Sequence, residues 1–226
     1  MSRGLTLLRY LLLLGFALSV QTAHAGGSTP KVLVLGDSIS AAYGMSLEQG
    51  WVSLLEERLQ SRWSGAEIVK ASISGDTSAG GLRRLAPLLE QHRPDLLVIE
   101  LGGNDGLRGY PNSRLLDNLR EMARRGISAG SRVLILPMEI PPNYGQRYTN
   151  AFRQAFRDAA ADTGAVLGPF IMAEIATDPA LMQSDGIHPV VAAQPLMVDT
   201  LESVVSDMLG DAIGQTEHVQ PQGTLP

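Results

Sequence analysis

Short apolar runs alternate along the chain with longer amphipathic segments. Runs typical of buried parallel strands, such as DLLVIEL, occur at 32–35, 67–70, 95–101, 132–136 and 165–168. Between and after these runs, apolar residues recur at helical spacing over 49–60, 78–91, 113–125, 147–163 and 190–209. The alternation predicts an α/β fold, a three-layer α/β/α sandwich with about five parallel strands.

The same pattern predicts the limits of the folded domain. Pro87 falls inside the second helical segment, where a proline kinks or divides a helix. From Gly210 onward the residues show no apolar period, so we expect a disordered tail over 210–226. We find no internal repeat and expect one domain over residues 26–209.

Residues 1–25 have the composition of a secretory signal peptide. Arg3 and Arg9 precede an apolar run over 10–20, and a small-x-small pattern ends at Ala25. The run is shorter than the roughly 20 apolar residues that a membrane helix needs, and no longer apolar run follows it. We therefore expect a periplasmic or secreted protein, cleaved near Ala25 and without a stable membrane anchor; an uncleaved anchor is the alternative.

Charge and cysteine content exclude several classes of partner and anchor. The predicted signal peptide contains two of the 18 basic residues and none of the 23 acidic ones, which leaves a net charge of −7 for the remainder. An acidic chain without a basic cluster is a poor match for nucleic acid. The absence of cysteine excludes both a lipoprotein anchor and a disulfide. We expect a monomer whose partner is a small molecule rather than nucleic acid.

Two serine motifs compete as the candidate nucleophile. GDSIS at 36–40 follows the first predicted strand, whereas GISAG at 126–130 matches the nucleophile-elbow pattern G-x-S-x-G. In an open parallel sheet, ligands bind beyond the carboxyl ends of the strands. Ser38 lies at that edge, but Ser128 stands after a helix and before a strand. We therefore assign Ser38 as the nucleophile and GISAG as a helix-to-strand turn.

The candidate base follows by elimination among the four histidines. His24 lies in the signal peptide and His218 in the predicted tail, while His92 precedes the third strand at the wrong edge of the sheet. His188 follows the last strand and is therefore selected as the base. Asp185 stands three residues earlier, where a carboxylate can orient the imidazole and stabilise its protonated form.

Acyl transfer by a serine also needs hydrogen-bond donors aimed at the developing oxyanion. Gly75 in SISGDTS follows the second strand and can present an unobstructed backbone N–H. Asn104 in ELGGND follows the third strand and can offer its side-chain amide. With the Ser38 N–H, these donors would converge from three adjacent strands. Taken singly, Gly75 is better explained as a turn glycine and Asn104 as a capping residue, so the assignment depends on their combination.

Three acids, Asp37, Asp76 and Asp105, stand beside these positions and allow two interpretations. Carboxylates on neighbouring loops can hold a hard cation, or they can accept hydrogen bonds from exposed backbone N–H groups. We favour the second role, because no calcium-loop, histidine or cysteine pattern accompanies the acids. The sequence also lacks the glycine-rich motifs of nucleotide sites, so we expect neither a metal nor a cofactor.

The four blocks GDSIS, SGDTS, GGND and DGIHP, in this order, resemble those of the SGNH (GDSL-type) hydrolases over nearly the whole mature domain. The resemblance implies a flavodoxin-like sandwich and an acyl-enzyme mechanism without a cofactor. It also implies a triad of Ser38, His188 and Asp185. The implied oxyanion hole consists of Ser38, Gly75 and Asn104. Members of the family cleave acyl esters, thioesters, lysophospholipids and aryl esters, so the implied substrate range is broad.

Apolar side chains in the loops after the third and fourth strands predict the substrate groove. Leu107 stands in the first of these loops, and Ile140, Pro141 and Tyr144 stand in the second. We expect them to bind the acyl chain of a small ester or a single-chain lipid; for each of them, packing onto the core is the alternative. The expected function is a serine esterase with thioesterase and lysophospholipase activity. The alternatives are a carbohydrate O-acetylesterase of the same superfamily and a non-catalytic flavodoxin-like binding protein.

Overall fold

Five parallel strands form one sheet in the computed structural model, which describes residues 29–218. The strands lie in the order β2-β1-β3-β4-β5. Their bounds are β1 Lys31–Gly36, β2 Glu67–Lys70, β3 Leu96–Glu100, β4 Arg132–Ile135 and β5 Val166–Leu167. All five predicted strands are therefore present. Their ends differ slightly from the apolar runs, because backbone hydrogen bonds rather than hydropathy set them.

Helices flank the sheet throughout the part of the chain that the structure describes. They are α1 Trp51–Arg62, α2 Ser78–His92, α3 Gly103–Leu107, α4 Asn112–Ser128, α5 Gln146–Thr163 and α6 Gln194–His218, with 3-10 turns at Leu47–Gln49, Pro142–Tyr144 and Val191–Ala193. The longer helices correspond to the predicted amphipathic segments. Sequence analysis misses α3, because a helix of five residues is too short to show an apolar period.

Alternate side chains of each central strand enter two separate cores. On β1, Val32 and Val34 share a core with α1 and α6, whereas Leu33 and Leu35 share one with α2, α4 and α5. All four side chains are fully buried, as expected for a parallel sheet covered on both faces. The predicted three-layer α/β/α sandwich is therefore confirmed.

Of the kink and the division that the sequence allows at Pro87, the structure excludes the division, because α2 continues through this residue as one helix. Pro87 is exposed, so its ring projects into solvent rather than into the core. Leu85 and Leu89 on either side of it are buried. Their burial stabilises both halves of the helix and offsets the hydrogen bond that the proline removes.

The last helix also extends further than the sequence predicts. α6 continues through His218, so residues 210–218 are helical rather than disordered, while residues 219–226 lie outside the described part. Arg132 at the start of β4 binds the beginning of this extension, because its Nη1 donates to the Met208 carbonyl at 2.9 Å and to Asp211 Oδ2 at 2.7 Å. The contact connects this part of α6 to the sheet. Because Arg132 is far from α6 in sequence, the apolar periodicity of the helix segment does not predict it.

The predicted signal peptide over 1–25 lies outside the described residues, and its cleavage stays a prediction. Within residues 29–218, no helix has both the length and the apolar character needed to span a bilayer.

Candidate active site

The candidate nucleophile and the candidate base meet at the carboxyl edge of the sheet. Ser38 lies in the turn after β1, and His188 lies in the loop between β5 and α6. The Ser38 hydroxyl is 2.8 Å from His188 Nε2, and His188 Nδ1 is 2.6 Å from Asp185 Oδ2. The structure thus brings together the three residues that the sequence analysis selects. When Nδ1–H donates to the carboxylate, Nε2 is the nitrogen that accepts the hydroxyl proton.

Asp185 is oriented by its own loop. Its Oδ1 accepts the N–H of Ile187 at 2.9 Å and the N–H of His188 at 3.1 Å, which leaves Oδ2 to face the imidazole. Gly186 has a φ of +66°, a left-handed conformation that allows this tight turn. The hydrogen bond with His188, followed by the one from Ile187, lowers the pKa of Asp185 to about 2. The carboxylate is therefore ionised at neutral pH and available to fix the imidazole tautomer.

Gly75 lies in the loop after β2, and Asn104 lies in α3, the short helix that follows β3. Both strands pair with β1 in parallel, so the segments that carry Gly75, Asn104 and Ser38 leave the sheet at the same edge. Gly75 has a φ of +79°, which only glycine adopts at low cost. Asn104 Nδ2 donates to Asp37 Oδ2 at 3.1 Å and to the Asp76 carbonyl at 2.9 Å. Both amide hydrogens of Asn104 are therefore engaged in this conformation.

A buried acid that sequence analysis misses supports the turn after β1. Glu100, the last residue of β3, is 2% exposed, and its Oε2 accepts the Ser40 hydroxyl at 2.6 Å and the Asp37 N–H at 3.4 Å. Burial, with a further contribution from the Asp37 charge, raises the pKa of Glu100 well above its usual value. Burial also raises the pKa of Asp37 to about 6. The sequence contains one indication of this role: Glu100 ends the apolar run LLVIE, and a charged side chain buried there needs hydrogen-bond partners.

The acids Asp37, Asp76 and Asp105 accept hydrogen bonds from neighbouring loops and helices, as predicted. Asp37 Oδ2 accepts a hydrogen bond from the side-chain amide of Asn104. Asp105 accepts both the N–H and the hydroxyl of Ser78 at 2.7 Å, at the first turn of α2. Asp76 pairs with Arg84 Nε at 2.8 Å. These bonds connect the loops after β2 and β3 with α2 and hold the edge of the sheet in one arrangement.

Ser128 and His92, two of the excluded candidates, lie away from this site. Ser128 is the last residue of α4 and His92 the last residue of α2, so each stands just before a strand and at the opposite edge of the sheet. His218 is the last residue of α6, and His24 lies outside the described residues. α4 ends at Ser128, within GISAG. Gly126 lies in the last turn of this helix, buried against the sheet, and is not the residue that caps it. The motif is therefore a helix-to-strand connection, as predicted.

The predicted groove residues differ in their accessibility. Leu107 is half-buried, Pro141 is exposed, and Tyr144 is 37% exposed. The Tyr144 hydroxyl donates to the Leu107 carbonyl at 2.7 Å and thereby connects the two loops. Ile140 is only 5% exposed and packs in the core beside Gly106, so it does not line an open groove. An apolar loop residue gains more from burial than from exposure, and the spacing of the loop alone does not reveal its direction.

Comparison with known proteins assigns the family. Residues 34–194 match the model of the GDSL-like Lipase/Acylhydrolase family. The chain is 46% identical over 203 residues to the Esterase TesA of Pseudomonas aeruginosa, an alignment that covers 89% of this chain and 100% of the relative. It is 41% identical over 186 residues to the Thioesterase 1/protease 1/lysophospholipase L1 of Escherichia coli K12, with 82% of this chain and 88% of the relative covered.

A solved structure shares the fold. The crystal structure of TesA superposes with a TM-score of 0.77 at 47% identity and covers 79% of this chain and 99% of its own. Its similarity agrees with the parallel sheet of five strands and with the flanking helices described above. By family match, by relatives and by fold, this chain belongs to the GDSL-like lipase/acylhydrolases, the SGNH hydrolases that its four sequence blocks resemble.

Proposed function

We propose that the chain is a serine esterase that hydrolyses acyl and aryl carboxylic esters through an acyl-enzyme intermediate. One observation carries the proposal: hydrogen bonds of 2.8 and 2.6 Å run from the Ser38 hydroxyl through His188 to Asp185. A hydroxyl with a base beside it and an oriented carboxylate behind that base is the arrangement that activates a serine nucleophile. Membership of the family supports the same class of reaction.

In the first half-reaction, His188 Nε2 removes the hydroxyl proton while Ser38 Oγ bonds to the carbonyl carbon of the ester. The carbonyl electron pair moves to the oxygen and then returns as the bond to the leaving group breaks. The imidazolium protonates that leaving group, and Asp185 remains a carboxylate throughout. In the second half-reaction, water replaces serine as the nucleophile, and the same proton transfers release the acid and restore Ser38.

We assign stabilisation of the oxyanion to the N–H groups of Ser38 and Gly75 and to the Asn104 amide. The bonds from this amide to Asp37 and to the Asp76 carbonyl keep it at the sheet edge, instead of leaving it to rotate in solvent. One of these acceptors must be exchanged for the oxyanion as charge develops. A bond made only at that stage favours the transition state over the ground state and so raises kcat.

Replacing Asn104 with alanine tests this assignment. We expect Asn104→Ala to lower kcat by about 10²- to 10³-fold with little change in KM, because the lost donor acts on developing charge. Steady-state kinetics on a nitrophenyl ester gives both constants. Asn112→Ala is the matched control, since the Asn112 amide donates to the Tyr148 carbonyl in a helical region apart from the triad. An unchanged kcat in Asn104→Ala would remove this amide from the oxyanion hole.

The proposed substrates are small acyl esters, aryl esters and single-chain lipids. Leu107, Pro141 and Tyr144 provide partly exposed apolar surface beside the site for the acyl chain. The thioesterase and lysophospholipase activities that name the E. coli relative are proposed for this chain as well. If the signal peptide directs export to the periplasm or beyond, cytoplasmic acyl thioesters are not its main substrates, and lipid or aryl esters fit better. We propose that the enzyme acts as a monomer without a metal or cofactor.

A panel of substrates on the protein lacking residues 1–25 tests this range. Nitrophenyl esters of increasing acyl length, a lysophospholipid, an acyl thioester and an acetylated sugar would be compared by kcat/KM. We expect measurable turnover of the esters, the lysophospholipid and the thioester. We also expect a preference that follows acyl length, because the proposed groove would bind the acyl chain rather than the leaving group. A strong preference for the acetylated sugar would instead support the O-acetylesterase alternative.

A further inference from the structure

We infer that Tyr43 is a positioning residue for His188, whose imidazole ring it covers and whose protonated form it stabilises. The inference rests on the proposed function, in which His188 is the base. The centroids of the two rings are 4.2 Å apart, and the ring planes are tilted by 32°. Asp185 and Ser38 hold the two nitrogens at the edge of the imidazole, so Tyr43 adds a contact across its face.

The exposure of the two rings supports a role in the site rather than in the core. Tyr43 is 48% exposed, although large aromatic side chains usually gain by burial, whereas the side chain of His188 is 15% exposed. Tyr43 thus shields the imidazole while half of its own surface faces solvent. An aromatic side chain in this position contributes little to the core, so we expect its removal to leave the fold intact.

The backbone before Tyr43 is strained in a way that sets the position of the ring. Ala42 has a φ of +55°, in the left-handed region that disfavours residues with a Cβ. Its methyl group is buried, and a Cβ on Gly50 would approach it to 2.7 Å, so Gly50 leaves the space for it. The Tyr43 N–H then donates to the Ser38 carbonyl at 3.2 Å. Strain of this kind persists where the surroundings impose it and is often found at functional sites.

Gln183 connects the loop of Tyr43 to the loop of His188. Its Nε2 donates to the Tyr43 carbonyl at 2.8 Å and to the Pro189 carbonyl at 3.1 Å, and its own N–H donates to the His188 carbonyl at 2.7 Å. A Cβ on Gly44 would lie 2.6 Å from Gln183 Oε1, so a glycine is needed for this approach. The two aromatic rings are therefore held together from both loops and do not meet through a chance contact of mobile side chains.

The chemical consequence concerns the imidazolium that forms when His188 takes the serine proton. The face of a tyrosine ring carries partial negative charge and attracts a cation that lies over it. Because the positive charge appears only in the transition states and the intermediates between them, this attraction raises kcat rather than substrate affinity. For a partly exposed cation–π contact we expect an effect of about 2- to 30-fold.

Three variants separate the ring face from the hydroxyl and from bulk. Tyr43→Phe keeps the ring and removes the hydroxyl, Tyr43→Leu keeps apolar bulk without a ring, and Tyr43→Ala removes both. The kcat and KM values would be measured with a short nitrophenyl ester and normalised to sites titrated by a fluorophosphonate, so that misfolded protein does not count. We expect Tyr43→Phe within about twofold of the parent kcat. We expect about tenfold lower kcat with unchanged KM in the other two variants.

Two results would overturn the inference. A Tyr43→Leu variant with the kcat of Tyr43→Phe would show that no aromatic face is required, and a raised KM with unchanged kcat would make Tyr43 a substrate contact instead. Failure of the proposed function is a separate observation: in a protein that keeps Tyr43, turnover would survive the substitution Ser38→Ala. The two failures are therefore distinguishable in one set of assays.

Discussion

Ser38→Ala is expected to lower kcat by about 10⁶-fold, because the substitution removes the only atom that can form the acyl-enzyme bond. His188 and Asp185 remain in place, but the base has no hydroxyl to activate. The hydrogen bond of 2.8 Å between Ser38 Oγ and His188 Nε2 is the contact that is lost. Steady-state kinetics on a nitrophenyl ester measures the loss, with circular dichroism to show that the variant is folded.

Ser128→Ala is the matched control, since it makes the same chemical change in the motif that fits the nucleophile-elbow pattern better. Ser128 ends α4 at the opposite edge of the sheet, so we expect its removal to leave kcat nearly unchanged. A folded Ser128→Ala variant without activity would contradict the assignment of Ser38.

Fluorophosphonate labelling extends the same test to the mechanism. We expect one covalent adduct per molecule on Ser38, located by mass spectrometry of peptides, and none in Ser38→Ala. Only an activated serine reacts in this way. A parent protein that binds esters but forms no adduct would support the alternative of a non-catalytic binding protein with this fold.

His188→Ala is the second substitution with a very large expected effect. Without the imidazole, the serine hydroxyl has no base to accept its proton and the leaving group has no acid to protonate it. The loss in kcat should therefore approach that of Ser38→Ala, about 10⁶-fold. The double variant should be no worse than either single variant, because the two side chains act in the same proton transfer.

His92→Ala controls for the loss of a histidine. His92 is the last residue of α2 and precedes β3, at the edge of the sheet away from Ser38. We expect kcat and KM close to those of the parent, because the substitution leaves the triad contacts intact. Equal losses in His92→Ala and His188→Ala would show that position relative to the strands does not identify the base.

The positions of the strands could be predicted because the central strands of a covered parallel sheet are apolar on both faces. β1 and β3 are buried along nearly their whole lengths, and apart from Lys31 at the start of β1 and Glu100 at the end of β3 their residues are apolar or glycine. The predicted secondary structure differs from the structure where contacts between segments distant in sequence outweigh the local helix propensity. Pro87 does not divide α2, because buried leucines flank it, and Arg132 binds α6 at Met208 and Asp211, near the point where the sequence predicts that the helix ends.

The residues around the triad also depend on contacts that the local sequence does not predict. Sequence analysis misses the roles of Glu100 and Tyr43, although both stand in or near the quoted motifs, because each role depends on a partner far along the chain. Ile140 enters the core although its loop belongs to the functional edge. Whether a loop side chain points inward or outward depends on packing against other elements, and no local periodicity encodes that choice.

The sequence by itself determined the fold class and the order in which strands and helices follow one another along the chain. It thereby determined the edge of the sheet at which each candidate catalytic residue lies. This follows because all strands run parallel, so a residue just after any strand is at the same edge as Ser38. Only the tertiary structure decided the atomic contacts there: the distances within the triad, the engaged amide of Asn104 and the ring of Tyr43 on His188. These depend on close packing between segments far apart in sequence, which hydropathy and spacing do not specify.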